Sequence, residues 1–408
     1  MLSQTTRQFC RNARRLVKST PTHRKSNNDR QRSVNALPDG RVTLHSGDMK
    51  LKIETEYEGK ISALTKKLLR ADKKRREGYA KLVQERSAVV AQLQKVICAS
   101  SSRLIPVGSL ANSLGSVEGS DIDLCFVAEK HDEFLRAFND HPNFKIALMR
   151  SVADLLEGSS EVKLKSECQL VMRSRIPLVI VNLANGVSVD IQFPNATFQA
   201  VRNTNLIRHY VMADKRFAQL YIWARQLFTA LGAKNSKQGL LSSYHIMLLV
   251  VHFLQCKHIF SEPVLPVLTQ THPHLVSREL PPSEVIKLLD QPITDQLEGW
   301  QSQNNMQVGV LAVRMIEYYS RFNVGNTVID IGRGRAMRRR QTPYNRKLQV
   351  LDPYSRVTVC HSRGIVDAFC HAVTSAHEAF RSGTLIDSYP VFDDVPERTS
   401  RNAGHTFD

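Results

Sequence analysis

The chain has none of the features typical of a membrane protein or of a disulfide-bonded secreted protein. Its nearest candidate for a membrane span, residues 246–254, contains His252. That run falls well short of the roughly 18 apolar residues that a membrane helix needs. The seven cysteines are an odd number and include no C-x-x-C pair, so a reducing compartment fits better than a disulfide framework. The two Cys-His pairs, at residues 360–361 and 370–371, lack the usual spacing of zinc ligands.

Acidic residues are the minority of the charged side chains. The chain has 38 Asp and Glu against 56 Lys and Arg, a net charge of +18 at pH 7. Such a field attracts polyanions, so we expect a nucleic acid or an anionic membrane surface as partner, the alternative being a merely soluble basic protein. Residues 1–28 contain no acid and seven Arg or Lys. That composition is typical of a mitochondrial transit peptide and equally of a disordered basic arm.

Hydrophobic periodicity predicts a mixed α/β unit inside a helical protein. Apolar residues recur at near-helical spacing at the start, alternate with polar residues in the middle, and form helical stripes again after residue 203. The predicted early elements are a helical region at 51–99, strands at 104–107 and 122–127, a helical stretch near 132–156, and a hairpin of 178–182 with 187–193 around an Asn-Gly turn. The arginine run at 333–340 predicts a phosphate-binding segment, a localisation signal or a solvated loop.

We therefore predict a mixed sheet with helices, followed by a mainly helical central domain. The predicted regions are a basic disordered leader and linker (1–50), a helical segment packing on the central domain (51–88), an α/β domain (89–205), the helical domain (206–382) and a tail (383–408).

Three features of the α/β unit point to phosphate and metal chemistry. Gly108-Ser109 follows a predicted strand, where glycine lets the backbone approach a ligand closely and a helix start offers N–H groups to phosphate. Most such dipeptides, however, are ordinary turns. The second feature is S-D-I-D-L at 120–124. On a strand, Asp121 and Asp123 share one face, and two carboxylates so placed repel each other unless a cation lies between them.

The third feature is V-S-V-D-I-Q-F at residues 187–193. Alternation puts Asp190 on the face away from the core, so a neighbouring strand could add a third carboxylate. Hard oxygen ligands suit Mg²⁺, and three of them could complete a two-metal site. The alternative is an amphipathic edge strand that carries solvated acids.

The motif series resembles the polymerase-β-type nucleotidyltransferases, and more narrowly the cytoplasmic-type poly(A) polymerases and terminal uridylyltransferases. The resemblance covers about residues 87–382. It rests on the G-S and S-D-I-D-L pair, on V-R-N-T-N-L at 201–206, on G-L-L-S-S-Y at 239–244, and on V-L-D-P-Y at 350–354. It implies that 89–205 is an α/β nucleotidyltransferase palm and that 206–382 is the poly(A)-polymerase-associated domain.

The resemblance also implies roles for particular residues. Asp121, Asp123 and Asp190 would be the catalytic carboxylates that bind two Mg²⁺ or Mn²⁺ ions, with Asp190 the best candidate to help deprotonate the RNA 3′-hydroxyl. The implied nucleotide-binding residues are Gly108, Ser109, Ser120, Asn203, Thr204, Arg225, Ser243, Tyr244 and Asp352. Among them, the serines would contact phosphates, Asn203 and Thr204 the ribose and base, and Tyr244 would stack on the base.

The sequence departs from the family pattern at two positions. Relatives carry two basic residues, four apart, on the helix around Trp223, where this chain has Tyr221 and Arg225. Tyr221 also fits an apolar stripe, so it is interpreted either as packing or as a mark of reduced activity. Uridylyltransferases have a histidine six residues after the acid of the late motif, where this chain has Thr358. The threonine favours ATP, although His361 is close enough to leave UTP open.

The resulting expectation is an RNA adenylyltransferase that extends RNA 3′ ends in the cytoplasm, with mitochondria as the alternative location. Uridylyl transfer, a catalytically inert RNA-binding or regulatory subunit, and nucleotide transfer to a small molecule are the other hypotheses. The high positive charge and the segment 239–244 argue against the last. Because no RNA-binding module is evident, we expect an RNA-binding partner protein to supply target specificity.

Overall fold

The computed structural model describes residues 51–115, 121–174, 176–257, 259–339, 348–360, 362 and 364–388. The predictions for the leader, for Ser120 and for His361 lie outside the described residues, as does most of the predicted tail. Within the described part, no helix combines the length and the apolar character needed to cross a membrane.

A helix of 40 residues connects the two main units of the protein. After the short helix α1 (Lys52–Glu56), α2 (Glu58–Ile97) begins among helices and ends against a sheet. Ile61, Leu64 and Leu68 near its start are buried in the helical core, whereas Leu93 and Ile97 near its end are buried in the core of the sheet. Because these apolar residues recur at helical spacing among many Lys, Arg and Glu, the helix buries one stripe and exposes the rest.

The sheet is mixed and has five strands in the order β1-β2-β5-β4-β3. Its strands are β1 (Ser102–Pro106), β2 (Ile122–Ala128), β3 (Gln169–Val171), β4 (Leu178–Asn182) and β5 (Ser188–Gln192). The central pair, β2 and β5, runs parallel, and the other pairs are antiparallel. The predicted hairpin is confirmed, with Gly186 at φ +85° in the Asn-Gly turn.

Helices cover both faces of this sheet. On one face, α4 (His131–Asp140) and α5 (Pro142–Glu157) pack Phe138, Met149 and Leu156 against it. On the other face, Val107, Cys125 and Val127 contact residues from α6 (Gln199–Ala213) and α11 (Pro282–Asp290). This two-sided burial explains why β2 contains the nearly continuous apolar run that follows its acid.

The second unit is mainly helical. In chain order its helices, besides α6 and α11, are α7 (Lys215–Ala230), α8 (Ser243–Gln255), α9 (Leu268–Thr271), α10 (Pro273–Val276), α12 (Val308–Ser320), α13 (Gly364–Arg381) and α14 (Thr384–Ser388). Trp223 of α7 and Phe369 of α13 lie in their common core. α14 lies within residues 383–408, which were predicted to be a tail. Its Leu385 and Ile386 are buried, so this segment packs on the helical unit and is not a free tail.

A small sheet, which the sequence did not predict, completes this unit. β6 (Thr327–Asp330) lies between β7 (Arg335–Arg338) and β8 (Gln349–Leu351). Part of the arginine run, predicted from sequence as a phosphate-binding segment, a localisation signal or a solvated loop, is therefore the edge strand β7. Exposed Arg335 and Arg338 stand on either side of half-buried Ala336 and Met337, and antiparallel pairing with β6 makes the segment a strand.

Candidate active site

Three acidic side chains lie at the start of the two central strands. β2 and β5 pair in parallel with Asp123 directly opposite Asp190. Ile122 and Leu124 are buried on the reverse face of β2, as the alternation predicted. Asp121 is exposed and lies one residue before β2 begins. The structure therefore places Asp123 beside Asp190 on paired strands, with Asp121 just before the first of them.

The electrostatics of this acid cluster confirm that its members influence each other. Burial raises the pKa of Asp123 to about 7, and the neighbouring Asp190 and Asp121 add to the rise. Gln192 opposes it, because its Nε2 donates a hydrogen bond to Oδ1 of Asp123 at 3.1 Å. Burial also raises the pKa of Asp190, with Asp121 contributing and Lys237 opposing. Asp123 and Asp190 are thus costly to ionise beside the neighbouring acids.

Gly108 is required by this geometry. Its φ is +64°, and a Cβ built on it would lie 2.5 Å from Oδ2 of Asp123. Any larger residue would both strain the backbone and displace the carboxylate. The Gly108 amide donates to Oγ1 of Thr204 at 2.9 Å, and the Val107 amide donates to the Asp123 carbonyl at 2.9 Å. The glycine-serine turn is therefore built directly against the acid cluster.

Thr204 supports that turn. Its hydroxyl accepts from Gly108 and donates to the carbonyl of Ala200 at 2.7 Å, and the residue is buried. These contacts favour a supporting role over the predicted contact with ribose or base. Ser109 is half-buried and is the second residue of the short helix α3 (Gly108–Ala111).

Asp352 is fully buried at the centre of a hydrogen-bond network. Its Oδ2 accepts from Asn203 Nδ2 at 3.1 Å, from Tyr244 Oη at 3.2 Å and from Gln199 Nε2 at 3.0 Å. Its Oδ1 accepts from the amides of Tyr354 and Ser355 at 3.0 and 2.8 Å. The network fixes the predicted ribose-contacting asparagine beside the predicted base-stacking tyrosine. Asp352 acts here by orienting other side chains.

Gln199 is a member of this network that the sequence analysis missed. It is buried, although it is a polar residue in the first turn of a helix, and that placement was the available signal. Burial, with Asp352 as the next contributor, also raises the pKa of Tyr244 well above its usual value. The Tyr244 hydroxyl therefore stays protonated and serves as a donor. Oδ1 of Asn203 is buried with no hydrogen-bond partner among the described residues.

The segment 239–244 forms the start of α8. Ser242 caps this helix by accepting from the His245 amide at 3.2 Å, and His245 Nδ1 accepts from the Ser242 amide at 3.0 Å. The sequence analysis missed this capping box, because histidine stands where glutamate is usual. Ser243 is the first residue of α8 and is half-buried.

The two departures from the family pattern have structural explanations of different kinds. Tyr221 is 1% exposed and stacks on Phe217 with ring centroids 6.5 Å apart, so it is a packing residue of the helical core. Arg225, one turn later, is half-buried. Thr358 lies in the turn after Asp352 and forms an isolated bridge with Leu351.

The donor set fits hard divalent cations, because it consists of carboxylate oxygens on the two paired central strands. Across the described residues, no three Asp, Glu, His or Cys side chains are already gathered as a ligand set. Like charges oppose such close approach until a cation lies between them. Asp121, Asp123 and Asp190 remain the predicted ligands.

Together, a mixed sheet with acids on parallel central strands and a glycine-serine turn against them define a polymerase-β-like nucleotidyltransferase palm. Residues 63–212 match the family model described as "Poly(A) RNA polymerase, mitochondrial-like, central palm domain". This part of the chain is therefore similar to the palm domain of the poly(A) RNA polymerases.

Two relatives illustrate the similarity in sequence. The chain is 26% identical over 243 residues to Poly(A) RNA polymerase gld-2 of Caenorhabditis elegans, covering 58% of this chain and 20% of that protein. It is 28% identical over 255 residues to Poly(A) RNA polymerase GLD2 of Danio rerio, covering 62% of this chain and 47% of that protein. The matched region thus spans less than half the length of either relative.

Solved structures share the fold. A GLD-2/RNP-8 complex superposes with a TM-score of 0.60 at 24% identity, covering 79% of this chain and 97% of that one. Cid1 with its short product ApU superposes with a TM-score of 0.55 at 20% identity, covering 79% and 95%. The fold class predicted from the sequence is confirmed by these neighbours.

Proposed function

We propose that the protein is a template-independent RNA nucleotidyltransferase that adds AMP from ATP to RNA 3′ ends. The observation that carries the proposal is the acid cluster, in which Asp123 and Asp190 face each other on parallel strands and Asp121 affects the pKa of both. Similarity to poly(A) RNA polymerases supports RNA rather than a small molecule as the acceptor. The net charge of +18 supports the same acceptor.

Asp121, Asp123 and Asp190 would hold two Mg²⁺ or Mn²⁺ ions. When bound, the ions supply Lewis-acid stabilisation of the triphosphate and lower the pKa of the RNA 3′-hydroxyl. Within the chain, a carboxylate oxygen of Asp190 accepts the hydroxyl proton as the general base. Gln192 keeps Asp123 oriented and partly offsets the cost of ionising it.

The nucleotide would lie between the glycine-serine turn and the start of α8. Ser109, Ser120 and Ser243 would contact its phosphates, and Gly108 lets the turn approach them closely. The remaining predicted contacts are Arg225 with phosphate, Asn203 with the ribose and Tyr244 stacked on the base. Asp352 keeps the last two side chains at fixed positions, which lowers the entropy lost on binding.

Uridylyl transfer is the second candidate, because a cytoplasmic RNA terminal U-transferase is among the proteins that share the fold. Thr358 in the turn after Asp352 favours ATP, since uridylyltransferases of this family resemble one another in having histidine there. We infer that base choice is made beside this turn.

We further propose that a partner protein directs the enzyme to its RNA targets. All the described residues belong to the palm or to the helical unit, and no separate RNA-binding domain is found among them. In one structure of the same fold, GLD-2 is in complex with RNP-8. A cytoplasmic location is our first choice. The acid-free residues 1–28 and the mitochondrial-like family model keep mitochondria as the alternative.

The decisive experiment offers the purified protein an RNA primer, Mg²⁺ or Mn²⁺, and each nucleoside triphosphate separately. A ladder with ATP alone supports adenylyl transfer, and a ladder with UTP supports the alternative. No extension under any condition would contradict the proposal and favour a regulatory subunit. Strong sequence-specific tailing by the pure protein would contradict the partner hypothesis.

A further inference from the structure

The long helix α2 contacts the glycine-serine turn at its middle. Asp72, Arg75 and Tyr79 lie there at intervals of three and four residues, so all three project from one face of the helix. This face meets the chain between Gly108 and Gly115, where it leaves the acid cluster. The three side chains have no place in the catalytic roles described above.

Two of these side chains hold backbone carbonyls of the turn. The Tyr79 hydroxyl donates to the carbonyl of Leu110, and Nη1 of Arg75 donates to the carbonyl of Ser113. Leu110 directly follows Ser109, and Ser113 has a φ of +58°. Side chains of α2 therefore hold the backbone at Leu110 and at Ser113, and the second of these has a strained conformation.

Arg75 is itself fixed by a buried ion pair. Its Nη2 and Nε lie 2.7 and 3.2 Å from Oδ1 of Asp72, whose side chain is 2% exposed. Oδ2 of Asp72 accepts from Nε2 of Gln219 at 3.3 Å. Gln219 belongs to α7, the helix that also carries Arg225. The turn is thus tied through α2 to the helical unit on the other side of the site.

We infer that Arg75 and Tyr79 are positioning residues that hold Ser109 at the distance from Asp123 that a bound triphosphate requires. The inference rests on the proposed function. Without these bonds the turn can shift, because Gly108 itself adds no side chain to hold it. Misplacement of a binding group by about 1 Å is enough to weaken binding of the reacting group. Because the two side chains hold this turn, we expect nucleotide binding to be affected more than RNA binding.

The test replaces Tyr79 with phenylalanine, which removes only the hydroxyl. We expect Tyr79→Phe to raise the Kd for a non-hydrolysable ATP analogue with Mg²⁺, and the KM for ATP, about fivefold, as expected for the loss of one hydrogen bond. The KM for the RNA primer should not change. Tyr57→Phe is the matched control, because the Tyr57 hydroxyl also donates to a backbone carbonyl, that of Arg381 at 3.2 Å, far from the turn.

Arg75→Met would remove the cation closest to buried Asp72 and is expected to destabilise the fold, so it is not used as a test. The second test is therefore a double-mutant cycle of Tyr79→Phe with Ser109→Ala. If Tyr79 acts through Ser109, the double variant should lose less analogue affinity than the product of the fold-losses of the two single variants. Unchanged affinity in Tyr79→Phe, or fully multiplicative losses, would overturn the inference while leaving the proposed function intact. A wild-type protein that neither binds the analogue nor extends RNA would overturn both.

Discussion

The palm and the helical unit bury their acids in opposite ways. In the helical unit, the two carboxylate oxygens of fully buried Asp330 accept hydrogen bonds from Nη1 and Nη2 of Arg356 at 3.1 and 2.9 Å. Glu54 and Arg314 form a second buried pair, with Nε to Oε1 at 2.6 Å. In the palm, Asp123 and Asp190 are half-buried and face each other. Lys237 lowers the pKa of Asp190, but among the described residues neither acid has a cation in direct contact.

The difference distinguishes structural acids from functional ones. A buried acid that has its cation within the chain contributes to packing and is costly to unpair. Acids that share a site without such a cation raise each other's pKa, and such groups are concentrated at functional sites. The comparison therefore singles out the palm acids from the charges alone, before any family is considered.

The largest effect we expect is on catalysis by the palm. Asp123→Asn keeps the shape of the side chain but removes one anionic ligand, which should lower nucleotide addition about 10³-fold or more, since metal-bound charge stabilisation is worth several kcal/mol. Because a repulsion is also removed, the melting temperature without metal should stay the same or rise. Primer extension and thermal melting measure the two effects, and a variant with wild-type extension rate would refute the catalytic assignment.

The next effect is on the stability of the helical unit. Glu54→Gln removes the buried carboxylate that accepts from Arg314 and should lower the free energy of unfolding by about 3 kcal/mol, measured by urea denaturation. The exposed pair of Glu284 with Lys287, at 2.8 Å, offers a control. Glu284→Gln should change stability by about 0.5 kcal/mol or less. Equal losses in the two variants would break the comparison.

A smaller effect is the pH dependence of the metal-free palm. The folded pKa of Asp123, about 7, is above its unfolded value of about 4. The folded state therefore binds the proton more tightly, and Asp123 makes stability fall as pH rises between those values. In chelator, Asp123→Asn should melt at an increasingly higher temperature than wild type across this range. Added Mg²⁺ or Mn²⁺ at neutral pH should reduce the gap; a gap that is constant with pH would contradict the shift.

The smallest effect concerns Gln192, the neutral donor to Asp123. Gln192→Met removes the bond that lowers the Asp123 pKa. We expect the acidic limb of the pH–rate profile to move upward by less than about one pH unit, the equivalent of one hydrogen bond. The maximal rate should change little, and a downward shift would show that Gln192 acts in another way.

The sequence predicted those features that depend on local pattern. Strand alternation placed Asp123 and Asp190 opposite the apolar face, and the Asn-Gly pair located the hairpin turn. Spacing and alternation suffice here, because side chains two apart on a strand share a face whatever surrounds them.

Features that depend on long-range contacts escaped prediction. Asp352 resembled a nucleotide contact, but its two oxygens are occupied by Gln199, Asn203, Tyr244 and its own turn. The clearance between Gly108 and Asp123 comes from a strand pairing that periodicity does not determine. Tyr221 fitted two hypotheses until its burial decided for packing.

The length of α2 limits how the two units can move against each other. Forty residues of helix make a rod about 60 Å long, with one end in the helical core and the other under the sheet. A flexible linker would allow a hinge motion that separates the two units. Here the rod has to travel with one of them, so we expect any movement between the units to take the form of short sliding displacements along its surface.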